Sequence, residues 1–161
     1  MIDDKFTKWI KWKDRNSLDG LTFPGVYSIA ISDTDLTDKN FKLTNEIKYF
    51  GMTNSKAGLR GRLTQFDNTI KGKTGHGGAD RFRYRHQNYD DLVAKLFVSV
   101  SIFRCNVESN TPKDLLIMGD IARFEFVCFA DYAEKFNNNL PEFNDKRNAP
   151  KYSLKNKHSG Q

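Results

Sequence analysis

The chain has 161 residues and a formal net charge of +6, with 38% apolar and 29% charged residues. This length suits one domain with a single core, and no apolar run approaches the ~20 residues that a membrane-spanning helix requires. The start, MIDDKFTKW, lacks the pattern of a secretory signal, and Cys105 and Cys128 are not spaced as metal ligands or as a disulfide framework. We therefore expect a single-domain cytoplasmic protein with no membrane partner.

The first half of the chain predicts a helical lead-in, two strands and a helix. Apolar residues at positions 6, 9, 10 and 12 have the spacing of a short amphipathic helix. After a turn at 16–20, VYSIAIS (26–32) predicts the first strand, and residues 46–52 predict the second, antiparallel to the first. Leu59, Leu63, Phe66 and Ile70 then form one apolar stripe, which predicts a helix from about residue 56 or 58 to 70.

The second half predicts a mobile loop, one strand and a long helical region. KGKTGHGGAD (71–80) has four glycines, which is typical of a loop. A short acidic turn or helix at 90–94 precedes LFVSVSIF (96–103), the third strand. Thr111 followed by Pro112 and Asp114 is typical of a helix start, and the apolar run 115–136 predicts the principal core helix or a pair of helices. The fold class is therefore α+β, a small three-stranded antiparallel sheet flanked by helices.

The positive charge is concentrated in one segment. Residues 56–86 contain eight basic and two acidic side chains, so this segment alone nets +6 and the rest of the chain is balanced. Such a segment suggests a polyanionic partner, most often nucleic acid, although a solvated charged surface would give the same composition. The basic residues are Lys56, Arg60, Arg62, Lys71, Lys73, Arg81, Arg83 and Arg85.

Five short motifs occur in a fixed order. They are GVY (25–27) in the first strand, YFG (49–51) in the second, Arg62 in LRGRL, Glu125 in RFEFVCF, and LPEFN (140–144). In this order, on these predicted elements, they resemble the GIY-YIG nucleases over residues 24–144. The resemblance makes 24–144 the core of one nuclease domain, with a lead-in at 1–23 and a basic, flexible tail at 145–161.

The resemblance implies a metal-dependent endonuclease that hydrolyses DNA phosphodiester bonds. Tyr27 and Tyr49 would jointly activate water and position the phosphate. The resemblance leaves open which of the two phenols takes the proton. Arg62 would stabilise the pentacovalent phosphate, for which a planar guanidinium is suited. Glu125 would hold Mg²⁺ or Mn²⁺, and one carboxylate suffices because Mg²⁺ keeps several waters. Asn144 would form a hydrogen bond near the site.

Two of these assignments have competitors in the sequence. The spacing between YFG and Arg62 is longer than in compact family members, so Arg60 is the alternative arginine. These two residues point to different helix faces. Glu134 competes with Glu125, which we prefer because Phe129 follows it by four positions, as in the family helix. Some relatives have a histidine one turn after the arginine, where this chain has Phe66.

The remaining basic residues are candidate DNA contacts. If RFRYRH is extended, its three arginines share one face and follow a phosphate backbone, or they form a charged edge strand that resists aggregation. His76 would be an auxiliary acid or base if its loop closes over DNA, or part of a simple connector, and His86 is a similar candidate. The full set of expected DNA contacts is Lys56, Arg60, Lys73, His76, Arg81, Arg83 and Arg85.

Two functions from different classes fit these observations. The first is the endonuclease, acting most simply on double-stranded DNA. The second is a non-catalytic nucleic-acid-binding protein on the same scaffold, and the presence of all five site residues favours the enzyme. An unrelated α+β domain with accidental motifs is a third reading. A homodimer is compatible with cleavage of both strands, but the sequence leaves the oligomeric state open.

Overall fold

The computed structural model describes residues 2–147 and 150–153. The sheet consists of β1 (Ile10–Lys11), β2 (Gly25–Ile31), β3 (Ile47–Thr53) and β4 (Leu96–Ile102), in the order β1-β4-β2-β3 with every pair antiparallel. The helices are α1 (Gly58–Lys71), α2 (Gly77–Arg85), α3 (Tyr89–Val93) and α4 (Pro112–Lys135). The α+β class is confirmed, with four strands instead of three. Within the described residues, no helix is long and apolar enough to cross a membrane.

The extra strand replaces the predicted helical lead-in, which is wrong. Ile10 pairs with Val98 of β4, and short 3-10 turns flank the two-residue strand. Phe6 and Trp9 are buried on one side of the sheet and Trp12 on the other. A helix would have placed these side chains on one stripe, whereas this segment fills both cores and covers the edge of β4.

Two hydrophobic clusters lie on opposite sides of the sheet. One contains α1, α2 and α3, including the predicted stripe of α1, whose four apolar side chains are all buried. The other contains α4, the first residues of the chain and apolar side chains between β2 and β3. Because β3 is the outer strand, side chains from both layers can meet along its edge.

The helix α4 begins where the sequence predicts and continues as a single helix. Thr111 caps it by accepting a hydrogen bond from the backbone N–H of Asp114. Only Ile121, Cys128 and Tyr132 are buried along its 24 residues, so most of its surface remains available to solvent.

The segment from 71 to 86 differs most from expectation. The glycine-rich loop is shorter than predicted because α2 begins at Gly77, and the arginines that follow are helical. The extended conformation assumed for RFRYRH is therefore wrong. His76 caps α2 by accepting a hydrogen bond from Ala79 N–H, which favours a helix start there. Gly78 lets the helix pack closely, since a Cβ at this position would clash with the Tyr49 ring. Residues 148–149 and 154–161 of the predicted flexible tail lie outside the described residues.

Candidate active site

Tyr27 of GVY and Tyr49 of YFG lie side by side on one face of the sheet. Tyr27 pairs with Gly51 across β2 and β3, and Tyr49 is the diagonal neighbour on β3, with 6.0 Å between the ring centroids. The Tyr27 ring lies over Gly51, where a Cβ would overlap the phenol. The YFG triplet therefore ends in glycine because the ring of the opposite tyrosine occupies the space of a side chain.

The guanidinium of Arg62 reaches this pair from α1. Its Nη1 donates to Gln65 Oε1 at 2.6 Å, while its Nε is buried without a hydrogen-bond partner. In the described part of the chain, no carboxylate lies within ion-pair distance of Arg62. Its charge nevertheless acts on both phenols, opposing the rise in pKa that burial causes in Tyr27 and Tyr49. Arg60, two positions earlier, is exposed on a different face of α1.

Glu125 approaches from α4, in the opposite layer. Burial raises the pKa of its carboxyl to about 7, and the Arg62 charge opposes that rise only in part. Between residues 2 and 147, no hydrogen-bond or ion-pair partner accompanies this carboxylate. The competitor Glu134 lies nine positions further on, roughly 13 Å along the helix axis. It is exposed beside Asp131 and Lys135. The structure thus brings Glu125, and not Glu134, to the tyrosines.

The donor set fits a divalent ion with one protein ligand. The described residues contain no group of three or more side chains of the kinds that hold a metal ion. A half-buried carboxylate without a partner is costly, and a cation bound to it would remove that cost. Because Mg²⁺ retains several waters and commonly takes one or two carboxylates, Glu125 alone is an adequate protein ligand.

His76 is the nearest polar neighbour of Tyr27. Only 1% of its surface is exposed, and its Nε2 lies 2.6 Å from the Tyr27 hydroxyl. Its ring also contacts Tyr49 and Phe66, with centroid separations of 5.9 and 5.1 Å. The contact with Phe66 joins the loop that carries His76 to α1. Burial, reinforced by the Arg62 charge, lowers the His76 pKa to about 3.

Asn144 stabilises the outer strand next to Tyr49. Its side chain accepts a hydrogen bond from Phe50 N–H at 2.8 Å and donates one to Phe50 O at 2.9 Å. The neighbouring Phe143 N–H donates to Lys48 O. The LPEFN element therefore pairs with the free edge of β3, and Asn144 contacts the backbone beside the tyrosines.

Arg81 and Gln65 belong to the same group of side chains. Arg81 was expected on an exposed row, but only 8% of it is exposed, and its Nη1 lies 3.5 Å from Phe143 O. Its charge lowers the pKa of both Tyr49 and His76. Gln65 connects Arg62 to the glycine-rich loop by donating to Gly75 O at 3.1 Å. Sequence reasoning missed both roles because they depend on the helical conformation of α2 and on the docking of its loop.

The other expected DNA contacts are dispersed. Arg83 donates to Gly72 O and lies over the Tyr152 ring. Arg85 pairs with Glu142, and Lys56 pairs with Glu108. Lys73 is exposed in the loop, and His86 ends α2 beside Phe143, outside the tyrosine group. These residues do not form the continuous row that an extended segment would have made.

An open cleft of about 610 Å³ adjoins Arg62. Its walls come from the end of β3, the turn that follows and one face of α1, and they are mostly small or neutral polar side chains. The lining residues are Met52, Thr53, Asn54, Ser55, Ala57, Gly61, Arg62, Thr64, Gln65 and Asn68. Comparisons of this chain with protein-family models, curated proteins and solved structures found no match.

Proposed function

We propose that this protein is a metal-dependent endonuclease that hydrolyses DNA phosphodiester bonds, with an active site of the GIY-YIG type. The observation that supports this most directly is the position of Arg62. Its charge lacks a carboxylate partner in the described chain, yet it acts electrostatically on two buried phenols and on an unpaired carboxylate. Four elements, β2, β3, α1 and α4, supply these groups, and a site for a phosphate and a cation needs this combination.

Arg62 is suited to bind the scissile phosphate. A guanidinium without an ion-pair partner, next to an open cleft, is suited to donate hydrogen bonds to phosphoryl oxygens. Stabilisation of charge that develops on those oxygens lowers the barrier to attack by water. The open cleft of about 610 Å³ beside Arg62 is the proposed binding site of the DNA backbone.

Glu125 is the proposed ligand of Mg²⁺ or Mn²⁺. When bound, such an ion stabilises negative charge on the phosphoryl and leaving oxygens. Glu125 must be ionised for this role, and its pKa of about 7 means that it releases its proton near neutral pH. The Arg62 charge acts on the phenols of Tyr27 and Tyr49, and the Glu125 charge acts on Tyr49, so these phenols are the candidates to accept a proton of the attacking water.

The test is plasmid cleavage by the purified protein with Mg²⁺, beside Arg62→Ala, Glu125→Ala and an EDTA control. Arg60→Ala and Glu134→Ala are matched controls, since each removes the same charge from the same helix at an exposed position. We expect Mg²⁺-dependent nicking or linearisation that Arg62→Ala and Glu125→Ala each reduce at least about 100-fold. The two control variants should keep most of the activity.

Other outcomes have distinct meanings. Salt-sensitive DNA binding without cleavage by any form would favour a non-catalytic nucleic-acid-binding protein. Cleavage that persists in Glu125→Ala but is lost in Glu134→Ala would retain the nuclease and reject our metal ligand. Comparison of double-stranded DNA, single-stranded DNA and RNA in the same assay identifies the substrate class.

A further inference from the structure

His76 can form its two hydrogen bonds with only one distribution of protons. A neutral imidazole has one nitrogen that donates and one that accepts. The Nδ1 atom lies 3.1 Å from the backbone N of Ala79, which can only donate. The proton of neutral His76 is therefore on Nε2, and the 2.6 Å contact with Tyr27 is a hydrogen bond that the histidine donates.

The position of His76 is fixed from several directions. Its backbone N–H donates to Thr69 Oγ1 at 3.1 Å, and Gln65 holds the carbonyl of the preceding Gly75. The charged and titratable groups around its ring are Arg62 of α1, Arg81 of α2, Tyr27 of β2 and Tyr49 of β3. Both arginines disfavour the imidazolium, so the neutral ring persists throughout the neutral pH range.

We propose that His76 is a positioning residue that donates a hydrogen bond to Tyr27 and so directs the Tyr27 hydroxyl proton towards Tyr49. Tyr49, and not Tyr27, then accepts the proton of the attacking water. This proposal rests on the proposed nuclease function. His76 has no free lone pair in this arrangement, because Nδ1 is used by Ala79 and Nε2 holds its proton, so it is not the general base.

The proposed hydrolysis accounts for every proton and bond. Tyr49 first releases its own proton to solvent. The resulting phenolate takes one proton from the attacking water as the water oxygen forms a bond to phosphorus. The bond from phosphorus to the leaving ester oxygen breaks, and that oxygen takes a proton from solvent. Burial raises the pKa of Tyr49, and the Glu125 charge adds to that rise, whereas the charges of Arg62 and Arg81 and the interaction with the Tyr27 hydroxyl oppose it. The Tyr27 hydroxyl stays protonated and serves as a donor.

Two substitutions test the roles of the two imidazole nitrogens separately. Asparagine reproduces an acceptor near the Nδ1 position, so His76→Asn keeps a helix cap but lacks the donor to Tyr27. Glutamine extends far enough to place an N–H near the Nε2 position, so His76→Gln keeps the donor but cannot act as a base. We expect His76→Asn to lower kcat about 10- to 100-fold with little change in KM. His76→Gln should restore most of that loss.

A double-mutant cycle tests whether the effect passes through Tyr27. In a Tyr27→Phe background, His76→Asn should cause no further loss of kcat. Tyr49→Phe should reduce kcat more than Tyr27→Phe does. Equal losses in His76→Asn and His76→Gln would overturn the donor role, and a greater loss in Tyr27→Phe would overturn the assignment of the proton to Tyr49.

A measurement that needs no activity decides the direction of the hydrogen bond. The ¹⁵N spectrum of the imidazoles, assigned through the signal that disappears in His76→Gln, should show His76 with a protonated Nε2 and an unprotonated Nδ1. The signal should not titrate between pH 5 and 9. A proton on Nδ1, or titration near pH 6.5, would refute the proposal. If no form cleaves DNA, the nuclease proposal fails, while these spectra still decide the role of His76.

Discussion

Glu125→Gln should stabilise the protein at pH 8.5 and have little effect on stability at pH 5. The folded protein favours the protonated carboxyl, because burial raises the pKa of Glu125 from its ordinary 4.5 to about 7. Well below pH 4.5 the carboxyl is protonated in both the folded and unfolded chains, so Glu125 does not lower the free energy of unfolding. As the pH rises from 4.5 through 7, the unfolded chain ionises Glu125 before the folded chain does, so the free energy of unfolding falls, and above pH 7 the loss is complete.

The pKa values determine the size of this effect. Since a tenfold change in an equilibrium corresponds to about 1.4 kcal/mol, ionising Glu125 in the fold costs about 3 kcal/mol more than in the unfolded chain. The partial exposure of the side chain reduces this to about 2 kcal/mol. For a chain of this size, that is a difference in Tm of roughly 4 to 8 °C between Glu125→Gln and the unmodified protein at pH 8.5.

The assay is thermal unfolding of both proteins at pH 5, 7 and 8.5, with and without Mg²⁺. Comparing the two at each pH removes the contribution of other groups, including His76 and His86, whose lowered pKa values destabilise the fold at acid pH. Mg²⁺ should raise the Tm of the unmodified protein at pH 8.5 and leave Glu125→Gln unchanged. Equal Tm values for the two proteins at pH 8.5, or a less stable variant, would refute the reasoning.

Three further predictions concern stability. Gly51→Ala forces a methyl group into the Tyr27 ring and should cost about 1–3 kcal/mol in urea unfolding, whereas Gly119→Ala, in open space on α4, should stabilise by about 0.5–1 kcal/mol. Asn144→Ala removes both hydrogen bonds to Phe50, so it should lower the free energy of unfolding by about 1–3 kcal/mol and slow cleavage. Unchanged activity would contradict the role of Asn144 in supporting β3. Asp67→Asn should cost about 3 kcal/mol, because the buried carboxylate accepts hydrogen bonds or ion pairs from four side chains, and wild-type stability would show that these contacts are dispensable. The four partners of Asp67 are Trp12, Arg15, Lys71 and Tyr89.

The central strands and α1 could be predicted from sequence because local patterns determine them. The β-branched and aromatic runs predict β2, β3 and β4 to within about one residue, and one apolar stripe predicts α1. Together with GVY and YFG, these elements bring Tyr27, Tyr49 and Arg62 close to one another. Glu125 required the resemblance, since nothing in the pattern of α4 distinguishes it from the other carboxylates of that helix.

The parts that could not be predicted depend on contacts between distant segments. His76 meets Tyr27 across 49 positions, and only after its loop ends in a helix that its own ring caps. Alternating arginines at 81–85 resembled a strand, but the cap at His76 and the close packing of Gly78 on Tyr49 favour a helix. The prediction of a helix near the start of the chain was wrong for a related reason. The aromatic residues of this segment are divided between the two hydrophobic clusters, and helical periodicity can indicate only one buried face.

The convergence of the candidate site on β3 follows from its place at the edge of the sheet. An inner strand has neighbours on both sides, whereas the edge leaves room for Arg62 from one layer and Glu125 from the other to approach the tyrosines. In the described chain these opposite charges do not form an ion pair within 4 Å. The fold therefore bears the cost of two partly buried charges that a salt bridge would have reduced. In the proposed function a phosphate and a metal ion would bind these charges. Removing one of them would increase stability at the expense of the proposed chemistry, which is why Glu125→Gln should be both the more stable protein at alkaline pH and an inactive one.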